Sequence, residues 1–313
     1  MSAARRSPFK PLHWVKVSRA MQGSLWAELQ KHADAHRYLY FTIADLVLFS
    51  AVVPKSKDSS KSDGRQKSAG SKSDKVHLLI ILIYAKLFCC FDFMQHSYCS
   101  EKLKEIMKKI LHLGNTLNQG TARGSAVGFR LDSLLKLSDT RATNNRMTLM
   151  HYLCKVLAEK SAHLLDFHED LVSLEAASKI QLKSMAEEQQ AIVKGLEKVE
   201  LELTASESDG PVSEIFCKTL KEFTAVSGAE VRSLTSLYNA VGKNADSLAM
   251  YFGEDPARCP FEQVVSTLLN FVRIFRKAHE ENCKQAELEK KKAQKEAETE
   301  KSKEANIAKN VSR

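Results

Sequence analysis

Apolar residues recur with helical spacing over much of the chain. Leu103, Ile106, Met107, Ile110, Leu111, Leu113 and Leu117 follow the i, i+3, i+4, i+7 pattern of one buried helix face. Gly114 interrupts that face, and the glycines of Asn118–Gly128 predict a loop after it. A return to helix is expected over Phe129–Leu137. Another helix is expected over Thr148–Leu165, with Leu149, Tyr152, Leu153, Val156 and Leu157 on its inner side. Leu182, Met185, Gln189, Ile192, Leu196, Val199 and Leu203 alternate by three and four residues, a heptad seam with one polar member. Three clean heptads suit a helical hairpin or bundle edge as well as a dimeric coil. Ser206–Pro211 ends that helix, and two more amphipathic helices are expected over Val212–Val241 and Phe261–Ala278. Gly253, Pro256 and Pro260 break the chain between them.

Before residue 101 the pattern is less regular. Ser7–Val53 carries both tryptophans, Trp14 and Trp26, with an extended entry at Pro11 and helices expected over Leu25–Arg37 and Ile43–Val52. Residues 54–75 hold seven serines, seven basic residues, three aspartates and two glycines, with no large apolar side chain. Such a stretch cannot bury enough surface to offset its ordering entropy, so a flexible linker is expected. Val76–Phe93 is strongly apolar, yet it is shorter than the about 20 residues of a spanning helix. Lys86 and Asp92 also interrupt it. A buried helix or a misplaced insert fits better than a membrane span. Glu280–Lys309 is nearly all Lys, Glu, Ala and Gln and predicts an exposed, charge-laced helix fraying at its end.

Composition agrees with an all-α fold. The 313 residues contain 12 glycines and 6 prolines, few for a turn-rich sandwich or barrel. The formal net charge of +9 favours acidic partners, but the excess lies mostly in residues 55–75 and 284–309, where solvated linker and tail charge explains it. The seven cysteines show no C-x-x-C spacing, and the first ten residues are polar and basic rather than a signal peptide. Reduced thiols in the cytosol are expected.

Little in the chain points to catalysis. Gly120–Gly128 lacks the Lys-Ser/Thr pair of a phosphate-binding loop, and no G-x-S-x-G elbow occurs. His32 and His36 stand one turn apart with no third ligand nearby, so surface histidines are expected rather than a metal site. The seam is preceded by Glu169, Asp170 and Glu175, not by an arginine-rich reading helix, which argues against nucleic acid. No enzyme activity, cofactor or metal is expected.

Two features stand out. Trp14 and Trp26 sit on a short arm that can hardly bury both within itself. They need a pocket, on another surface or on the chain's own body. Gly114, Asn115 and Asn118 end an apolar helix. They suit either a receiving surface for an inserted group or an ordinary helix terminus.

Taken together, these stretches resemble the formin homology 2 domain. Lys10-Pro11-Leu12-His13-Trp14 with Trp26 is similar to its lasso, and residues 54–75 stand where the family has a linker. Leu113-Gly114-Asn115-Thr116-Leu117-Asn118 resembles the G-N-x-x-N signature of its post. Gly128-Phe129-Arg130-Leu131, Lys136–Arg141 and Met147–Leu153 continue that region. The wording is closest to plant members, and the resemblance covers about 9–53 and 101–280.

The resemblance implies an elongated all-α architecture. Its parts are a lasso arm (1–53), a linker (54–75), a helical post and coiled-coil body (101–283) and a charged tail (284–313). It implies a cytoplasmic, cytoskeletal homodimer that nucleates actin filaments and stays at their barbed ends. Trp14 and Trp26 would be dimerisation anchors, Gly114, Asn115 and Asn118 their receiving surface, and Lys136 and Arg141 actin contacts. Profilin is implied only indirectly, because the chain has no proline-rich segment. One departure matters: the family's knob and first coiled-coil arm have no counterpart, and an atypical apolar insert (76–100) replaces them. The alternative function is an adaptor or inactive truncated formin that pairs with other formin chains.

Overall fold

The computed structural model describes residues 9–31, 72–143 and 147–311. The expected helix Ile43–Val52, His32, His36, and most of the expected linker lie outside these residues. Among the described residues the fold is helical, with isolated bridges and no strand.

A short helix, α1 (Leu25–Lys31), ends the described part of the arm. Helix α2 (Lys72–Cys99) begins inside the stretch expected to be linker and runs through the whole apolar run. Ile83, Leu87, Cys90 and Phe93 lie on its inner side with no exposure, while Ile81, Leu82, Phe88 and Phe91 face outward. By length and hydropathy Leu79–Cys99 could cross a membrane. Its inner face is instead covered by protein, with Phe93 edge-on to Phe261 and Asp92 accepting a hydrogen bond from Ser173.

Ser100 alone separates α2 from α3 (Glu101–Leu117). Its Oγ accepts the Leu103 amide at 3.1 Å and donates to Asp170 Oδ2 at 2.8 Å, so it caps α3 and ties that end to the body. Gly114 stays inside α3 rather than ending it. The expected helix 129–137 is instead a 3-10 turn at Leu131–Leu134 and one α-turn at Lys136–Asp139. Asp132 and Ser133 at the start of that stretch favour local turns over a continuous helix. Thr148 caps α4 (Leu149–Lys160), which stops at Ser161, short of the expected Leu165.

Helix α5 (Leu182–Ser206) carries the heptad seam and turns back through Glu207–Ser213 into α6 (Glu214–Tyr251), which runs ten residues past the expected Val241. Gln189 Nε2 donates to Thr235 Oγ1 at 2.7 Å, Tyr238 Oη to the Leu182 carbonyl at 3.1 Å, and Lys221 pairs with Glu207 at 2.7 Å. The register is that of an antiparallel hairpin, so the seam has a partner within the chain. Its far half stays open. Ile192, Leu196 and Val199 line an apolar groove of about 490 Å3 with Leu79, Ile80 and Phe223.

Gln189 is 8% exposed in this otherwise apolar seam. Thr235 keeps its own bond to the Val231 carbonyl without Gln189. Gln189→Leu is therefore expected to leave stability unchanged or raise it by about 1 kcal/mol. Urea unfolding checks this, and a loss above about 1.5 kcal/mol contradicts it.

Helix α7 (Phe261–Val311) joins the expected helix 261–278 and the charged tail into one element of 51 residues. Phe261, Val264, Val265, Leu268, Phe271 and Phe275 are buried in the core, and α7 packs against α4. Asn282 Nδ2 donates to the His151 carbonyl at 2.8 Å, the last of these ties to α4. The seven cysteines are free thiols. Burial pushes Cys90 up to about 12, with Cys89 and Glu262 adding to it, and burial also raises Cys154.

Candidate functional site: an arm seated on a glycine-floored post

The arm lies extended along the loop that follows α3. Val17 N donates to the Gly128 carbonyl at 3.0 Å and Arg130 N to the Val15 carbonyl at 2.9 Å, and Phe9 bridges Ala142. Its two indoles fill two slots on the body of the same chain, which makes own-body packing the geometry observed for this single chain.

Trp14 is 4% exposed. It stacks on Phe129 with centroids 5.6 Å apart, and its Nε1 donates to the Arg123 carbonyl at 3.0 Å. The slot floor is Gly114, where a Cβ would stand 2.2 Å from indole Cζ3. Helix α3 can receive the ring at this turn because no side chain rises there. Trp26 has no exposure and donates from Nε1 to the Phe252 carbonyl at 3.0 Å. Its walls are Phe129, 4.6 Å away between centroids, and two glycines. A Cβ at Gly128 would come within 2.5 Å of Cδ2, and one at Gly253 within 2.8 Å of Nε1.

The two asparagines perform the same chemistry on different backbones. Asn118 Oδ1 accepts the Leu12 amide and Nδ2 donates to the Leu12 carbonyl, both at 3.0 Å. Asn115 Nδ2 donates to the Ala126 carbonyl at 2.9 Å, and its Oδ1 accepts the Ala126 amide at 2.7 Å. A primary amide offers one donor and one acceptor side by side, which matches the paired groups of one facing residue. Asn118 thus holds the arm and Asn115 holds the loop that forms the slots.

Lys136 and Arg141 lie apart from the slots. Lys136 pairs with Asp132 at 2.8 Å. Arg141 is exposed, and its carbonyl accepts the Lys10 amide at 3.3 Å beside the arm's start. Among the described residues, no group of three or more His, Cys, Asp or Glu side chains could hold a metal ion.

Gly128, Phe129, Gly253 and Glu254 also build the slots, though the sequence gives none of them a role at the site. Glu254 accepts from Leu131 N at 2.7 Å and from Arg130 Nη1 at 2.8 Å, fixing the turn after α6 against the post. Gly253 has φ +79°, the left-handed conformation glycine favours at a helix end. The helix-ending run Phe252-Gly253-Glu254 before Asp255-Pro256 signals that turn, but nothing in it signals an indole that stands 226 residues before Phe252 in the chain.

The profile of the Formin Homology 2 Domain family matches residues 94–276. Its match starts at Met94, so the last residues of α2 fall within it, earlier than the expected start at 101. Formin-like protein 12 of Oryza sativa subsp. japonica is 53% identical over 396 aligned positions, covering 96% of this chain and 24% of the relative. Formin-like protein 20 of Arabidopsis thaliana is 50% identical, covering 93% of this chain and 24% of its own length. Formin-like protein 17 of Arabidopsis thaliana is 46% identical, covering 95% of this chain and 80% of its own length. The chain thus spans about a quarter of the length of the first two. In the first alignment, 96% of this 313-residue chain is about 300 residues, so about 96 of the 396 positions have no residue opposite them here.

Proposed function

We propose, for a chain that belongs to the formin homology 2 domain family, that it pairs with a second copy through its tryptophan arm and acts on actin filament ends. The observation that carries the reading is the pair of indole slots floored by Gly114, Gly128 and Gly253, with Asn118 gripping the Leu12 backbone two residues before Trp14. Nothing in those contacts requires arm and post to belong to one chain. Residues 32–71 separate α1 from α2 and can span up to about 130 Å when extended. A reciprocal exchange of arms would make each chain the anchor of the other. Arg141, exposed beside the arm's start, and Lys136 are the proposed contacts for an acidic actin surface. The proposed site of action is the cytoskeleton.

The test has two readings. Light scattering on the purified chain is expected to give twice the chain mass. Addition to actin monomers labelled with a fluorescent reporter is expected to change the rate of barbed-end growth. A monomer without effect on growth refutes the proposal.

A second reading is favoured by one observation, the about 96 aligned positions that this chain lacks. If they correspond to the knob and first coiled-coil arm, the chain would retain pairing and lose much of the actin contact. It would then act as an adaptor or an inactive partner of longer formin chains. Capture of a longer formin chain with its lasso and post intact, without a change in actin assembly, distinguishes this from the first reading.

A further inference from the structure

The two indoles and Asn118 hold the arm through backbone carbonyls, backbone amides and aromatic faces. Such contacts recognise an arm of the right shape, but they carry no charge code. Helix α1 adds one. Glu28, two residues after Trp26, lies 3.4 Å from Lys104 Nζ of α3, and its carboxylate accepts Tyr251 Oη at 3.2 Å from the end of α6. Lys104 also meets Glu101 at 3.0 Å, and the Tyr98 ring stands edge-on to Tyr251 at 4.8 Å. The Lys104 side chain is 19% exposed. Burial pulls its pKa down, and Glu101 and Glu28 more than offset that, leaving it above the ordinary lysine value. Burial, then Glu28, keeps the Tyr251 phenol protonated as a donor. An ammonium and a phenol hydrogen therefore converge from two elements of the body on one point of the arm. A carboxylate satisfies both, whereas a cation there meets repulsion and a neutral apolar side chain leaves the ammonium with one carboxylate fewer.

We propose that Glu28, read by Lys104 and Tyr251, is a specificity determinant of arm docking. It selects as partner a second copy of this chain, or a related body presenting a cation and a phenol at the same place. The proposal rests on the reading that arms are exchanged between chains.

Charge reversal tests it with full-length chains. Glu28→Lys alone and Lys104→Glu alone each place like charges at both sockets of a homodimer. In a mixture, a heterodimer carries one native socket and one with both charges reversed, so both sockets are satisfied. Each variant alone is expected to dimerise about tenfold more weakly than the parent. The mixture, followed by native mass spectrometry with chains of different mass, is expected to favour the heterodimer at least about tenfold over random pairing, less so at high salt. Circular dichroism matching the parent shows that both variants fold. Single variants that dimerise like the parent, with random mixing, overturn the charge code and leave the pairing reading intact. Rescue only in the double variant, with no gain from mixing, places the contact within one chain and overturns the proposal. A parent chain that is monomeric overturns both readings.

Discussion

Trp26→Ala is expected to release the arm. The indole has no exposure, touches Phe129, Gly128 and Gly253, and donates to the Phe252 carbonyl. Removing a fully buried indole costs about 3–5 kcal/mol, because the backbone of Gly128 and Gly253 on the slot walls cannot collapse into the space. That is a factor of about 150 or more per socket, in the dimer constant if arms are exchanged and in arm closure if they are not. The chain has two tryptophans, so the variant leaves Trp14 as the sole indole emitter. Its emission is expected to shift to the red as the arm leaves the post, at protein concentrations where the parent stays blue-shifted. Retained blue emission with less than a tenfold change in docking would show that the second slot does not hold the arm.

Gly114→Ala is expected to move two quantities in opposite directions. Within α3 the change favours the helix by about 1 kcal/mol, since alanine loses less backbone freedom than glycine. On the surface of α3 the new methyl would stand 2.2, 2.4 and 2.9 Å from three atoms of the Trp14 ring. Neither the helix backbone nor a ring stacked on Phe129 can yield by an ångström without losing other contacts, and such overpacking costs about 1–3 kcal/mol. The body should therefore unfold at equal or higher urea concentration, while docking of the arm weakens by up to about 100-fold. Gly253→Ala is a useful contrast. Its positive φ adds backbone strain to the clash with Trp26, so body and docking should weaken together. If Gly114→Ala destabilised the body without changing docking, the slot would be a packing feature of the helix alone.

How much of this is legible in the chain differs by element. Helices α3 and α5 follow from apolar spacing, because each carries a single stripe of helical period, buried along α3 and over the near half of α5. Residues 131–139 fail as a helix because their short polar side chains support turns as readily as a continuous helix. The continuation of α6 to Tyr251 is missed because Ala245, Leu248 and Ala249 bury with small or widely spaced side chains after Gly242. The tail and the helix before it are one element because no glycine or proline intervenes after Pro260. At the site, two lone tryptophans and the Gly-Asn-Asn cluster announce a docking pair. Their division of labour is not legible, since Asn115 and Asn118 differ only in which backbone lies opposite. Gly253 and Glu28 escape notice for a related reason. Each acts on a residue far away in sequence, and no local spacing encodes that meeting. The seam of α5 shows the same limit. Its period gives the stripe but not its partner, which is α6.

The length of α7 bears on how the molecule travels through solution. Beyond Asn282 the helix leaves the body and continues to Val311, a rod of about 43 Å. Friction grows with the longest dimension far more than with mass, so even a lone chain will diffuse slowly. It will elute from a sizing column ahead of globular standards of 35.1 kDa. Early elution is thus built into the shape of a single chain. A variant with the rod shortened after Cys283 should elute later, whether or not its arms are exchanged.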